Sequence, residues 1–219
     1  MPQPKTRASR ARRAALLACV TAAAVTTLAP SAGAAKKPKA VVKITPGAVT
    51  VYKTGDGPDA LPADVQSAVM TTLTGYLGAA TVTPLKKGVA DDAALGATLA
   101  APVVARLATD RSVLVDEGLP KSVGKIKVSG APVVLTGLAD GSGNVVVVTA
   151  GIDTTTKAKT AKGPLSIKRS GELVLEPDNG TWKITGYTLD VDRVGKGLKP
   201  TTTTLPAAAA APTPTTVAR

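Results

Sequence analysis

Residue types that carry catalysis and metal binding are scarce in this 219-residue chain, which has no histidine and a single cysteine, Cys19. A Ser-His-Asp triad, a histidine general base and a histidine metal site are therefore excluded by composition. The glycine-rich stretch 137–143 lacks the Lys-Ser/Thr ending of a phosphate-binding loop. We therefore expect no enzymatic activity and no cofactor.

Two groups of closely spaced carboxylates remain as candidates for metal binding. Asp91 and Asp92 are adjacent, and Asp190 and Asp192 are two residues apart, a spacing that places both side chains on one face of a strand. Neither group has the alternating oxygen ligands and the glycine of a calcium loop. We interpret both groups as solvated charges and expect no metal site.

Helical spacing of apolar residues is confined to the first half of the chain. A helix is predicted from Pro62 until Pro84 ends the pattern, and a second one follows Asp91-Asp92, with a break or kink at Pro102. A short third helical turn is predicted at 111–115.

After Gly118 the period changes to about two and β-branched residues dominate. Four strands are predicted, at about 123–138, 144–157, 164–176 and 181–194. Asp140–Asn144 and Asp178-Asn179-Gly180 are typical of tight hairpins, and a longer hairpin is expected at 159–163. Apolar residues occupy every second position of the last strand, but the alternation shifts by one residue partway along it. This shift predicts a bulge at Gly186. These elements indicate an α+β fold, with N-terminal helices packed on a four-stranded antiparallel meander sheet.

The first 34 residues have the layout of a secretory signal peptide. A basic head ends at Arg13, an apolar run follows at 14–29, and Ala32-Gly33-Ala34 predicts cleavage between Ala34 and Ala35. The apolar run is shorter than the roughly 20 residues of a membrane span, so an uncleaved anchor is the lesser alternative. Lipidation at Cys19, which follows a lipobox-like Leu16-Leu17-Ala18, is another. We expect a secreted or cell-envelope protein.

Composition predicts four segments: a signal peptide (1–34), a basic flexible arm (35–43), one α+β domain (44–197) and a disordered Pro/Thr/Ala tail (198–219). The formal net charge of +12 lies mostly in the leader and the arms. Residues 44–118 hold five basic and eight acidic residues, and residues 119–196 hold eleven and seven. This asymmetry is too small to predict phosphate-backbone binding, and aromatic residues for base stacking are few. We expect no nucleic acid, and membrane contact only through the leader or the basic arm.

The order of helix, broken helix and antiparallel sheet, together with Leu173–Glu176 and Trp182-Lys183-Ile184, resembles the closing hairpin of secreted proteins in the nuclear transport factor 2-like superfamily. The stretch Asp110–Pro120 is similar to a linker in actinobacterial envelope proteins related to the mammalian-cell-entry-associated group. The resemblance covers residues 60–195 and implies a cystatin-like cone.

Some enzymes of this superfamily use a helix tyrosine as an oxyanion donor beside a buried carboxylic acid. The resemblance thus implies a ligand pocket that holds Tyr76 and, as the best available carboxylate, Asp153. We expect instead a non-catalytic exported domain that binds a protein or a cell-envelope component. A small apolar ligand carrier or a cone-cavity isomerase using Tyr76 is the alternative, and a homodimer is a further possibility.

Overall fold

The fold is described from a computed structural model, in which residues 39–53, 60–198 and 201–204 are described. The strands are β1 (Ala40–Lys43), β2 (Pro46–Lys53), β3 (Ile126–Gly130), β4 (Val133–Ala139), β5 (Val145–Thr160), β6 (Gly163–Asp178), β7 (Thr181–Gly195) and β8 (Thr201–Thr204). The helices are α1 (Ala63–Leu77), α2 (Thr83–Lys87), α3 (Asp92–Gly96), α4 (Ala101–Ala105) and α5 (Leu107–Leu114), with a π-helical turn, Gly78–Val82, between α1 and α2. All the helices within the described ranges therefore lie between β2 and β3.

The strands form one mixed, eight-stranded sheet, so the predicted four-stranded antiparallel meander is wrong. β3 and β4 lie end to end along one edge of β5, and both pair with it antiparallel. β5, β6 and β7 then follow one another as antiparallel hairpins. β1 and β2 precede the helices in the chain but pair in parallel with β3 and β4. The helices are thus a crossover between parallel strands, a connection that parallel pairing requires.

The two ends of the domain differ from the segments expected from composition. β1 lies inside the predicted basic arm 35–43, and β8 lies inside the predicted tail 198–219, where it pairs antiparallel with β7. Backbone pairing therefore includes part of both segments in the sheet. The signal segment, its cleavage site at Ala34-Ala35, Cys19 and the tail beyond Thr204 lie outside the described residues.

Pro84 does not end the first helix as predicted. The helical backbone continues through the π-helical turn into α2. It ends at Gly88, whose φ of 88° is left-handed. Proline has no N–H to donate to the carbonyl four residues before it, and that carbonyl, on Ala80, instead accepts a hydrogen bond from the Asp116 N–H (2.8 Å). The wider turn and this outside donor allow the helix to continue through Pro84.

The second predicted helix is divided into α3 and α4, and the third helical turn predicted at 111–115 overlaps the end of α5. The Asp91 side chain accepts from the Ala94 N–H at the start of α3 (3.2 Å), as expected for a helix N-cap. Between α3 and α4 the chain makes a turn and then becomes extended at Leu99 and Ala100, and Thr98 and Ala100 form backbone hydrogen bonds with Ile184 of β7. The break thus falls before Pro102, which lies in the first turn of α4.

One face of the sheet is covered by the helices and the other is open. On the covered face, Leu165, Ile167, Leu173 and Leu175 of β6 are all at most 4% exposed, as their shared parity predicts. β7 keeps its buried residues on this face because the register shifts between Ile184 and Gly186, which confirms the predicted bulge. The Asn179-Gly180 turn is confirmed by positive φ angles of 50° and 79°. The hairpin at 159–163 is tighter than expected, since Thr160 pairs directly with Gly163.

Candidate functional site

Tyr76 lies in the core beneath the sheet rather than in an open pocket. Its side chain is fully buried, and its hydroxyl donates to the Leu114 carbonyl (2.9 Å) at the end of α5. The same hydroxyl oxygen accepts from Nη1 of Arg169 (2.7 Å). Both hydrogen-bonding functions of the hydroxyl are therefore used inside the protein.

Asp116 is the centre of a buried ionic cluster that this tyrosine joins. Its Oδ2 accepts from Nη2 of Arg169 (2.9 Å) and from the Thr81 hydroxyl (2.6 Å). Its Oδ1 accepts from Nε of Arg193 (2.8 Å). Asp116 is fully buried, while Arg169 and Arg193 are 2% and 9% exposed. A single carboxylate thus holds two arginines that come from neighbouring strands, β6 and β7.

Both arginines also donate to carbonyls at the C-terminal end of α5 and just after it. Nη1 of Arg169 donates to Val113 (2.9 Å) and Leu114 (3.2 Å), and Nη2 of Arg193 donates to Val115 (3.2 Å). The C-terminal end of a helix carries partial negative charge, so these contacts compensate the second positive charge of the cluster. The cluster therefore fastens α5 and the segment after it to the sheet.

Electrostatics keeps the Asp116 carboxyl ionised and the Tyr76 hydroxyl neutral. Burial alone raises the pKa of the Asp116 carboxyl, but Arg169, Arg193 and the Thr81 hydrogen bond outweigh it and hold the pKa below its usual range. Burial raises the pKa of the Tyr76 hydroxyl, and Arg169 only partly offsets this. Neutral Tyr76 beside ionised Asp116 is not the pairing that an isomerase needs, in which a neutral carboxylic acid donates to the substrate.

Sequence reasoning missed this cluster, although one signal for it was present. Arg169 shares the parity of the apolar residues of β6, and Arg193 shares that of Leu189 and Val191 on β7. A long cationic residue on a buried face needs a buried partner. Asp116 had no such signal because it lies in a loop segment, after the end of α5.

The structure does not bring Asp153 near Tyr76. Asp153 lies on the open face of β5, where its side chain is 53% exposed and pairs with Lys168 (3.8 Å). Asp190 and Asp192 also lie on the open side of β7, and no group of three or more potential metal ligands occurs among residues 39–53, 60–198 and 201–204. Asp91 and Asp92 belong to α3, where Asp92 pairs with Arg111 (3.0 Å).

A cleft of about 670 Å³ runs along α1 and is lined by Ile44, Pro46, Ala63, Gln66, Ser67, Met70, Thr71, Thr74 and Gly75. It holds no charged side chain. The hydroxyls of Thr71 and Thr74 donate to carbonyls of α1 itself. Neither Tyr76 nor Asp153 lines it, so it does not correspond to the predicted pocket.

The open sheet face carries exposed apolar residues at one end. Tyr52 of β2, 63% exposed, lies beside Leu138 of β4, 49% exposed, and Leu138 lies beside the half-buried Val147 of β5. We call these three residues the apolar row. Val134, 48% exposed, lies on the same face of β4. Apolar side chains grouped on an uncovered surface are typical of a binding surface.

None of the described helices is long and apolar enough to cross a membrane. Comparisons with family models, with curated proteins and with solved structures found no match to this chain. The resemblance to the nuclear transport factor 2-like superfamily and to the mammalian-cell-entry-associated group therefore stays a prediction from sequence.

Proposed function

We propose that this protein is an exported, non-catalytic binding domain whose open sheet face contacts another protein of the cell envelope. The signal-like leader supports export. The observation that carries the binding role is the apolar row, because Tyr52 and Leu138 expose about half or more of their surface on paired strands of the sheet. Tyrosine is one of the residue types enriched in binding hot spots.

The size of the apolar row favours a partner protein over a permanent homodimer. Obligate homodimers bury large and predominantly apolar surfaces. Here the apolar residues occupy one end of the face, while charged residues such as Asp153, Lys168 and Glu172 occupy its middle. A homodimer is therefore an alternative that the experiment must distinguish.

Site-specific cross-linking tests the proposal. A photoreactive amino acid at position 52 of the full chain, expressed in the producing cell, should give one discrete adduct in the envelope fraction. The adduct partner is then identified, purified and titrated against the wild-type chain and Leu138→Lys. We expect Leu138→Lys to weaken binding at least tenfold, because it places a charge inside the apolar contact.

Thr188→Lys is the matched control, since Thr188 is exposed on the same face of β7, far from β2. It should leave the affinity unchanged. Equal effects of both substitutions, or no adduct at position 52, would refute the proposal. An adduct with the mass of two copies that also forms with the purified protein would replace it with the homodimer.

A further inference from the structure

A row of side chains crosses five strands at the other end of the open face. Strand register places Val41 beside Lys127, Lys127 beside Lys157, Lys157 beside Ser166 and Ser166 beside Val194. We call this set the basic row. Along β5 it lies ten residues from the apolar row, or about 33 Å.

Lys127 and Lys157 are direct neighbours on adjacent strands. Like charges placed opposite each other destabilise a sheet. Neither ammonium group forms an ion pair with another residue of the described chain. The fold therefore tolerates an unfavourable pair at this position without compensating it internally.

More lysines surround the basic row, and few acids do. Exposed lysines also lie on β1, at the end of β5, in the β5–β6 turn and at the end of β7: Lys43, Lys159, Lys162 and Lys196. The stretches 119–139 and 154–171, which supply all of β3 and β4 and about half of β5 and β6, contain no Asp or Glu. Asp153, the nearest acid on β5, is already paired with Lys168.

A cleft of about 410 Å³ opens within this surface. It is lined by Lys157, Ala158, Pro164, Leu165, Ser166, Val194, Gly195 and Lys196. The lining is largely apolar, with one ammonium group contributed by β5 and another by the segment that ends β7. Val41 and Val194, 39% and 61% exposed, flank the two central lysines. Two adjacent lysines thus lie in the middle of the row, with an exposed valine at each of its ends.

We propose that the basic row and the lysines around it dock on the surface of an anionic phospholipid bilayer. Lysines near such a surface are attracted to the lipid phosphates, and each contributes a similar amount to binding. The exposed valines at the two ends of the row can enter the interfacial layer, while the lysine stems lie along it. The negative charge of the lipid phosphates is complementary to the positive charge of this end of the domain.

The exposed apolar groups favour a bilayer over a soluble polyanion. A dissolved polyanion would be held by the lysines alone and would leave Val41 and Val194 in water. The inference extends the sequence analysis, which expected membrane contact only through the leader or the basic arm. It does not depend on the protein partner proposed for the apolar row, because the two sites share no residue.

Vesicle binding of the full chain tests the inference. The chain is incubated with vesicles of phosphatidylcholine alone or with 30% phosphatidylglycerol, and bound protein is measured by co-sedimentation at several salt concentrations. The double variant Lys127→Gln/Lys157→Gln should lose at least tenfold in affinity for the anionic vesicles, and the wild-type affinity should fall with added salt. The matched control is Lys86→Gln/Lys87→Gln, which removes the same charge from α2.

Lysine acetylation followed by mass spectrometry distinguishes vesicle contact through this surface from contact through the leader. The leader is the same in every variant. Anionic vesicles should protect Lys127, Lys157 and Lys196 but not Lys86 or Lys87. Equal losses for the two double variants, or no selective protection, would overturn the inference. Protection by dissolved polyphosphate without protection by vesicles would overturn it too, in favour of a soluble polyanion. Leu138→Lys, which tests the protein contact, should leave vesicle binding unchanged.

Discussion

The two faces of the sheet use positive charge in opposite ways. On the covered face, Arg169 and Arg193 are buried and every cation has a carboxylate or a carbonyl as partner. On the open face, Lys127 and Lys157 are exposed, adjacent and unpaired within the described chain. The difference indicates that the arginines belong to the stability of the fold, whereas the lysines are available to a partner outside it.

The strongest test of the covered face is the removal of the one carboxylate that holds Arg169 and Arg193. Asp116→Asn should lower the free energy of unfolding by about 3–5 kcal/mol, because two buried guanidinium groups lose their counter-ion. Urea denaturation measures the loss. Asp153→Asn is the matched control on the open face, where an exposed ion pair contributes about 0–1 kcal/mol. Similar losses for both variants would mean that the cluster around Asp116 does not hold the fold together.

The dependence of the free energy of unfolding on acidic pH tests the same contrast between the two faces. The pKa of Asp116 is lower in the folded chain than in the unfolded one, so its contribution is present above about pH 4 and is lost as pH falls through the folded pKa. The stability difference between the wild type and Asp116→Asn should therefore narrow on acidification below pH 4. Unfolding experiments at a series of pH values measure it, and a difference that stays constant to pH 2 would contradict this assignment.

Sequence reasoning reached the local parts of this architecture better than its long-range parts. The Asn179-Gly180 turn and the bulge at Gly186 follow from a few adjacent residues, and both are confirmed. The parallel pairing of β1 with β3 joins residues more than 80 positions apart, and short segments such as 40–43 carry no pattern that names a partner. The fold class was wrong for that reason.

The same limit applies to the buried cluster and to the basic row: features of a single strand were visible in the sequence, and contacts between distant segments were not. The buried parity of Arg169 was visible in β6, but its partner Asp116 comes from a loop 53 residues earlier. The lysines of the open face were counted correctly as a basic excess in the second half of the chain. Their convergence was missed because it depends on register, which aligns Lys127 with Lys157 across 30 residues of sequence.

Tyr76→Phe tests how tightly the cluster is built, with a smaller expected effect. The substitution removes one hydroxyl, but Leu114 keeps a donor in Arg169, and Arg169 keeps the Val113 carbonyl. We therefore expect a loss of about 1–2 kcal/mol in urea denaturation near neutral pH. A loss as large as that of Asp116→Asn would mean that the hydroxyl, rather than the carboxylate, organises the cluster.

The same variant changes the alkaline side of the profile. The pKa of Tyr76 is raised in the folded chain, so its contribution is present below about pH 10 and is lost as pH rises through the folded pKa. Burial raises the pKa of Tyr187 as well, which means that Tyr76→Phe should reduce the alkaline loss of stability without abolishing it. An unchanged alkaline slope would contradict the burial of a neutral Tyr76.

The smallest expected effect has the opposite sign and belongs to the open face. Lys127→Gln removes one of two ammonium groups in direct cross-strand contact, and it should raise the free energy of unfolding by about 0.2–1 kcal/mol. Lys86→Gln, on an exposed position of α2, should change it by less than its measurement error. A destabilised Lys127→Gln would mean that the lysine has an internal partner, which would remove the argument for an external one. A stabilised variant that also binds anionic vesicles less well would mean that Lys127 serves vesicle binding at the expense of stability. Arg169 and Arg193 on the covered face, by contrast, stabilise the fold directly.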